Sequence, residues 1–221
     1  MQNPKSKTPT TETRAASEAL VWENSQYYEN AEKWTWLFWS ENKPFLPLFR
    51  QLDIEQLLEL ACGHGRHSEH VLSNYGDRVK SLIMMDILQS NVDWCLKRIP
   101  DQGKVGVIRN QGTDFRPVED ASLTGIFCYD AMVHFHGDVV QAYLKDAQRV
   151  LRPGGKALIH HSNYSKNPDV PFGQNPHARA FMSAALFKLC AGKAGLEVLS
   201  QNVISWGKVP DLDCLTLLRK T

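Results

Sequence analysis

Glu59-Leu60-Ala61-Cys62-Gly63-His64-Gly65-Arg66-His67 sits where the apolar run Leu57–Ala61 gives way to a stretch of helical character, Arg66–Ser73. Small residues in a strand-to-helix turn let the backbone pass close to a ligand, and the helix start offers unpaired N–H groups. A dinucleotide fingerprint would read G-x-G-x-x-G. Here its first position is Ala61 and its last is Arg66, and a long side chain there works against the close packing that the last glycine permits. No glycine-rich loop ending in Gly-Lys-Ser or Gly-Lys-Thr occurs, so a phosphate-cradling nucleotide loop is unsupported.

Working outward, apolar runs that suit buried parallel strands are Leu57–Ala61, Val79–Met85, Val105–Ile108, Leu123–Cys128 and Lys156–His160. Between them, Arg66–Ser73, Gln89–Arg98 and Asp138–Val150 read as helices. Alternating strands and helices predict an α/β fold with right-handed crossovers. The turn Arg152-Pro153-Gly154-Gly155 ends the third helix, because glycine supplies a positive φ and proline blocks continuation. A long loop, Ser162–Phe181, leads to a helix over Ser183–Gly192. The runs Leu196–Trp206 and Leu212–Leu218 leave no room for a helix between them and are expected to pair as an antiparallel hairpin.

Ligands of open α/β sheets bind beyond the carboxyl ends of the strands. Asp86 ends the second strand, with Ile87 after it, about 20 residues past the glycine turn; a carboxylate there can accept from two ribose hydroxyls. Thr113, Asp114 and Phe115 follow the third strand, and an acid beside an aromatic suits an adenine ring. Tyr129-Asp130-Ala131-Met132-Val133-His134 follows the fourth.

The ordered set Glu59-x-x-x-Gly63-x-Gly65, Asp86, Asp114-Phe115, the segment after strand four and Leu151-Arg152-Pro153-Gly154-Gly155 resembles the class I S-adenosylmethionine-dependent methyltransferases over roughly residues 50 to 221. The departure is Ala61, where the family commonly has glycine. The resemblance implies a Rossmann-like, seven-stranded, mostly parallel sheet of order 3-2-1-4-5-7-6, antiparallel in its last strand, with helices on both faces. It also implies S-adenosyl-L-methionine as cofactor and S-adenosyl-L-homocysteine as product. In that reading Glu59 and the Ala61–Gly65 turn meet the methionine part, Asp86 the ribose, and Thr113, Asp114 and Phe115 the adenine. Tyr129 and Asp130 lie near the sulfonium. The segment before strand one folds over the cofactor, which makes Tyr27, Tyr28 and Trp36 lid candidates, since a sulfonium suits aromatic rings.

Methyl transfer to a hydroxyl needs alignment and a proton acceptor. Asp130 and His134, spaced i and i+4, are the expected catalytic pair. The polar loop, through His161, Asn163, Tyr164 and Arg179, is expected to bind a hydroxylated or carboxylated small molecule. His64, His67 and His70 recur at spacing three, but such steps drift round a helix, so no metal site is expected. An amine or peptide acceptor, and a cofactor-binding protein without turnover, are the alternatives.

Composition bounds these readings. The chain has 221 residues, a formal charge of +1 and 43% hydrophobic residues, which suits one globular domain and gives no general pull on nucleic acid or an anionic membrane. Residues 1–18 are expected to form a disordered tail. Residues 19–221 are expected to form a single domain whose first part, to about residue 50, is a helical lid rich in aromatics. Five isolated cysteines without a CxxC pair, no signal-like N-terminus and no 20-residue apolar run point to a cytoplasmic protein.

Overall fold

The computed structural model of the chain describes residues 9–99, 103–168, 170 and 172–221. Five elements precede or open the sheet: α1 (Thr11–Ala19), α2 (Tyr27–Glu32), α3 (Thr35–Phe38), α4 (Phe45–Phe49) and β1 (Gln56–Leu60). Then come α5 (Arg66–Tyr75), β2 (Ser81–Asp86), α6 (Gln89–Arg98), β3 (Val105–Arg109), β4 (Leu123–Cys128) and α7 (Gly137–Val150). The chain closes with β5 (Leu151–Ser162), α8 (Ala184–Lys193), β6 (Leu196–Trp206) and β7 (Val209–Lys220).

The seven strands lie in the order β3-β2-β1-β4-β5-β7-β6, as the resemblance implies. Strands β1 to β5 pair in parallel, while β7 runs antiparallel to both β5 and β6. It follows that β6 points the same way as β1 to β5, and its carboxyl end lies on their ligand-binding edge. Alternation along β1 sends Leu57 to one core layer, with Phe45, Phe49, Val71 and Met84, and Leu58 to the other, with Tyr143, Leu144 and Phe187. Every residue of β4 is buried, as expected of a central strand covered on both faces.

Two expectations change. Helix α1 begins inside the expected disordered tail. The Thr10 hydroxyl accepts from Thr13 N–H at 3.2 Å, Glu12 sits in the first turn, and Ala15 is buried; a capped, alanine-rich turn with a core contact orders the chain. Residues 1–8, the rest of that expectation, lie outside the described residues. The turn Arg152–Gly155 does not separate α7 from β5 as a free loop. β4 meets β5 at Leu123 with Leu151 and again at Gly125 with Lys156, so the four residues between are taken up as a bulge in the strand. Among the described residues no helix is long and apolar enough to cross a membrane.

Candidate active site

The turn after β1 is built from three positive-φ residues, Ala61 (φ +55°), Gly63 (+54°) and Gly65 (+79°). Ala61 is strained there by about 1–2 kcal/mol relative to glycine, and the neighbouring bonds hold it. Cys62 N–H donates to the Met85 carbonyl at 3.1 Å, and Gly65 N–H to the Cys62 carbonyl at 2.8 Å. Gly63 N–H donates to Asp86 Oδ2 at 2.9 Å. A Cβ at Gly63 would fall 2.9 Å from the Tyr28 ring, so the turn and the α2 aromatics form a cradle that only glycine leaves open.

Asp86, 5% exposed at the end of β2, also accepts from Leu88 N–H at 2.9 Å and Asn91 Nδ2 at 3.1 Å. Burial pushes its carboxyl up and these donors oppose that. Glu59 is buried beneath the turn and accepts from the Ser68 hydroxyl; burial raises its carboxyl to about 7 against that bond. An acid whose pKa is higher folded than unfolded favours the folded state most below its unfolded value, about 4.3. That contribution fades as pH rises through about 7. Between pH 5 and 8 the denaturation midpoint of the wild type is expected to fall relative to that of Glu59→Gln; parallel curves would show that Glu59 does not take up this proton.

Beyond β4, Asp130 (φ +56°) is the centre of a buried charge network. It accepts from the Tyr27 hydroxyl and lies 3.6 Å from an Arg66 guanidinium nitrogen and 3.8 Å from one of Arg179. Arg179 binds both oxygens of Asp213, at 2.8 and 2.6 Å. His160 Nδ1 accepts the Asp130 N–H at 3.1 Å, so its Nε2 carries the hydrogen and donates to Asp213, also at 3.1 Å. Burial raises the Asp213 carboxyl, but His160 and Arg179 overcome it and hold the group at about 2. His134 Nδ1 donates to the Ala178 carbonyl at 2.7 Å and its ring packs 4.5 Å from Trp22. Burial, then Arg179, lowers it to about 4, so it is neutral at pH 7.

Glu59, Asp86, Asp130, Arg66 and His134 face a trough of three joined compartments. The first lies over Asn110, Gly112 and Tyr143 and is roofed by Ala15, Glu18 and Trp22. It shares Ala61, Asp86, Ile87 and His134 with a middle compartment that adds Tyr28, Glu59, Gly63, Tyr129 and Asp130. The middle one shares Tyr27, Arg66, Tyr129 and Asp130 with a third, walled by Trp34, Phe38, Phe45 and Trp206.

Most residues expected around the cofactor converge here, and several do not. Trp36 is 66% exposed and lines none of the three compartments; the roof is Trp22, Tyr27 and Tyr28. Phe115 turns inward against Tyr143, and its N–H donates to Asp146 at 2.7 Å. Asp114 caps Arg116 N–H at 3.0 Å, and Thr113 is buried without lining the trough. The place expected for them is held by Asn110 and Gly112, nearer the strand end. His161 stacks on Phe187 at 3.7 Å and bonds Thr216 at 2.8 Å on the far face of β5. Asn163 accepts from Ala184 N–H at the start of α8, and Tyr164 pairs with Asn167. Arg179 stands behind Asp130 rather than in the trough. His134 lines the first two compartments and not the third; it follows Asp130 through a 3-10 turn, Met132–His134, rather than on an α-helix. His64, His67 and His70 diverge: His64 lies between Tyr28 and Trp94, His67 accepts from Trp39, and His70 stacks on Trp39.

Residues 57–155 match the family described as a methyltransferase domain. That stretch carries a methyltransferase domain. Its cofactor is S-adenosyl-L-methionine. Solved structures repeat the fold of this methyltransferase at low identity. A chain of the complex between the Haloferax volcanii Trm112 methyltransferase activator and its methyltransferase is 15% identical, with TM-score 0.68 over 97% of this chain and 99% of that one. An S-adenosylmethionine-dependent methyltransferase from Mesorhizobium loti is 11% identical, with TM-score 0.62 over 80% and 97%. One from Aquifex aeolicus is 15% identical, with TM-score 0.60 over 80% and 89%. The methyltransferase fits its cofactor on its own geometry: the Gly63 cradle, the buried Asp86 carboxylate and the aromatic roof are the groups a ribose and a sulfonium require.

Proposed function

We propose that this methyltransferase methylates a hydroxyl oxygen of a small molecule bound in the third compartment, in front of Asp130. The observation that carries the reading is that Asp130 belongs to both the middle and the third compartments, with its carboxylate already fixed by Tyr27, Arg66 and Arg179. Bound in the first two compartments, the cofactor supplies an electrophilic methyl on a sulfonium. The residues do the rest. Asp130 accepts the hydrogen bond of the incoming hydroxyl, which aims the oxygen, and takes its proton as the oxygen attacks. Tyr27, Tyr129 and Arg66 wall the junction and exclude water. Tyr27 itself stays a phenol, because burial and the Asp130 charge push its ionisation well above the usual range. His134 stands on the cofactor side, where a neutral ring packs under Trp22. We assign it to shaping that pocket rather than to the acceptor.

Incubation with methyl-labelled S-adenosyl-L-methionine and matched phenols, alcohols and amines tests this reading. Label on oxygen is expected; label on nitrogen alone would overturn it in favour of an amine acceptor.

A further inference from the structure

The third compartment has a polarity that narrows the acceptor. Its inner end is the set it shares with the cofactor compartment, including Asp130 and Arg66. Its outer end is made by the α3–α4 connection, Asn42 and Lys43, together with Trp34. The walls between are rings. Phe38 and Trp206 lie nearly parallel, 9° apart with centroids at 5.7 Å, and Phe38 meets Tyr129 at 4.9 Å. Trp34 leaves 55% of its surface exposed.

The charges are one-sided. Of the charged groups that line this space, Arg66 and Asp130 face each other at 3.6 Å. The third is Lys43, which makes no ion pair within 4.0 Å among the described residues. Two ring faces already carry a cation: the Arg66 guanidinium stands 5.2 Å from the Phe38 centroid and that of Arg179 stands 5.0 Å from Trp206. A cationic acceptor would meet the Arg66 guanidinium and Lys43. A flat ring gains stacking area, and an anionic substituent at the mouth gains Lys43.

Resting on the proposed oxygen methylation, we propose that the acceptor is a planar aromatic ring with a hydroxyl at its inner end and an anionic group, such as a carboxylate, at its outer end. The O–H bond breaks toward Asp130, the O–C bond forms as the C–S bond of the cofactor breaks, and the anionic group takes no part in the chemistry.

Three phenols of equal size provide the test, bearing a para carboxylate, carboxamide or aminomethyl group, with a hydroxycyclohexane carboxylate as the non-planar control. The carboxylate phenol is expected to have the highest kcat/KM. Lys43→Glu is expected to lower it roughly tenfold and to raise that of the aminomethyl phenol, leaving the carboxamide nearly unchanged. Trp34→Ala is expected to raise KM for all three phenols by roughly tenfold with kcat retained. Both side chains are exposed, so neither change threatens the fold. Binding read from tryptophan fluorescence provides a measure independent of turnover. No binding of the carboxylate phenol at millimolar concentration would overturn the inference, as would an equal or better rate with the cyclohexane or the aminomethyl phenol, or an unchanged ranking in Lys43→Glu. Oxygen label on the cyclohexane control at a rate equal to or above that of the carboxylate phenol would leave the proposed function standing while this inference falls; label on the aminomethyl nitrogen alone would remove both.

Discussion

Alanine at position 86 is expected to raise the dissociation constant for S-adenosyl-L-methionine by about 100-fold or more. Hydrogen bonds to a charged partner contribute roughly 1.5–3 kcal/mol each, and a factor of ten corresponds to about 1.4 kcal/mol, so one ribose hydroxyl accounts for roughly 10- to 100-fold and the loosened turn adds to it. Asp86 also holds the Gly63 N–H, the Leu88 N–H and Asn91 in place. With three donors already on a carboxylate of about four lone-pair sites, room remains for about one ribose hydroxyl unless one of these bonds gives way. The same change therefore loosens the turn that cradles the cofactor, and the two effects act in one direction. Isothermal calorimetry on a variant shown by thermal melting to be folded measures the sum. An unchanged affinity would remove Asp86 from the cofactor site.

Asp130→Asn is expected to lower kcat by about 10²–10⁴, the range over which a positioned proton acceptor contributes, while cofactor affinity changes little. Asparagine suits the test because it tolerates the positive φ found at this position. Arg179 keeps its two bonds to Asp213, while Arg66 loses its anion and keeps the Ala31 carbonyl, so thermal melting first checks that the variant is folded. The expected pattern is a fall in kcat together with kcat/KM, the mark of an interaction made during the reaction. A kcat close to that of the wild type would show that Asp130 only organises the pocket.

The fold was legible because buried parallel strands announce themselves as short apolar runs, and Leu123–Cys128 and Gln89–Arg98 appear in the structure with the bounds read from the sequence. The position of Asp86, Tyr129 and Asp130 at the strand ends was legible for the related reason that one edge of such a sheet is the ligand edge. What escaped was set by contacts distant in sequence. Phe115 reads as an adenine platform until Tyr143, on α7, draws it into the core. Arg179 reads as a substrate ligand until Asp213, on β7, claims its Nε and Nη2. Trp206 could have been found by direction alone: β6 runs parallel to β1–β5, so its last residues lie on the same edge as Asp86. The polar loop misled because Asn163 and Ser162 spend their polar atoms on local backbone, at Ala184 and Tyr164.

Arg98 gives the roof a consequence of its own. From α6 it grips Glu32 on α2, Glu69 on α5 and the His64 carbonyl of the glycine turn, while Arg66 reaches the Ala31 carbonyl at 2.8 Å. Helix α2 is thus buckled across the trough by two arginines. Release of spent cofactor past this roof is expected to need that buckle undone. Because part of it is an ion pair at the surface, dissolved salt acts on how fast the enzyme empties rather than on how fast it reacts.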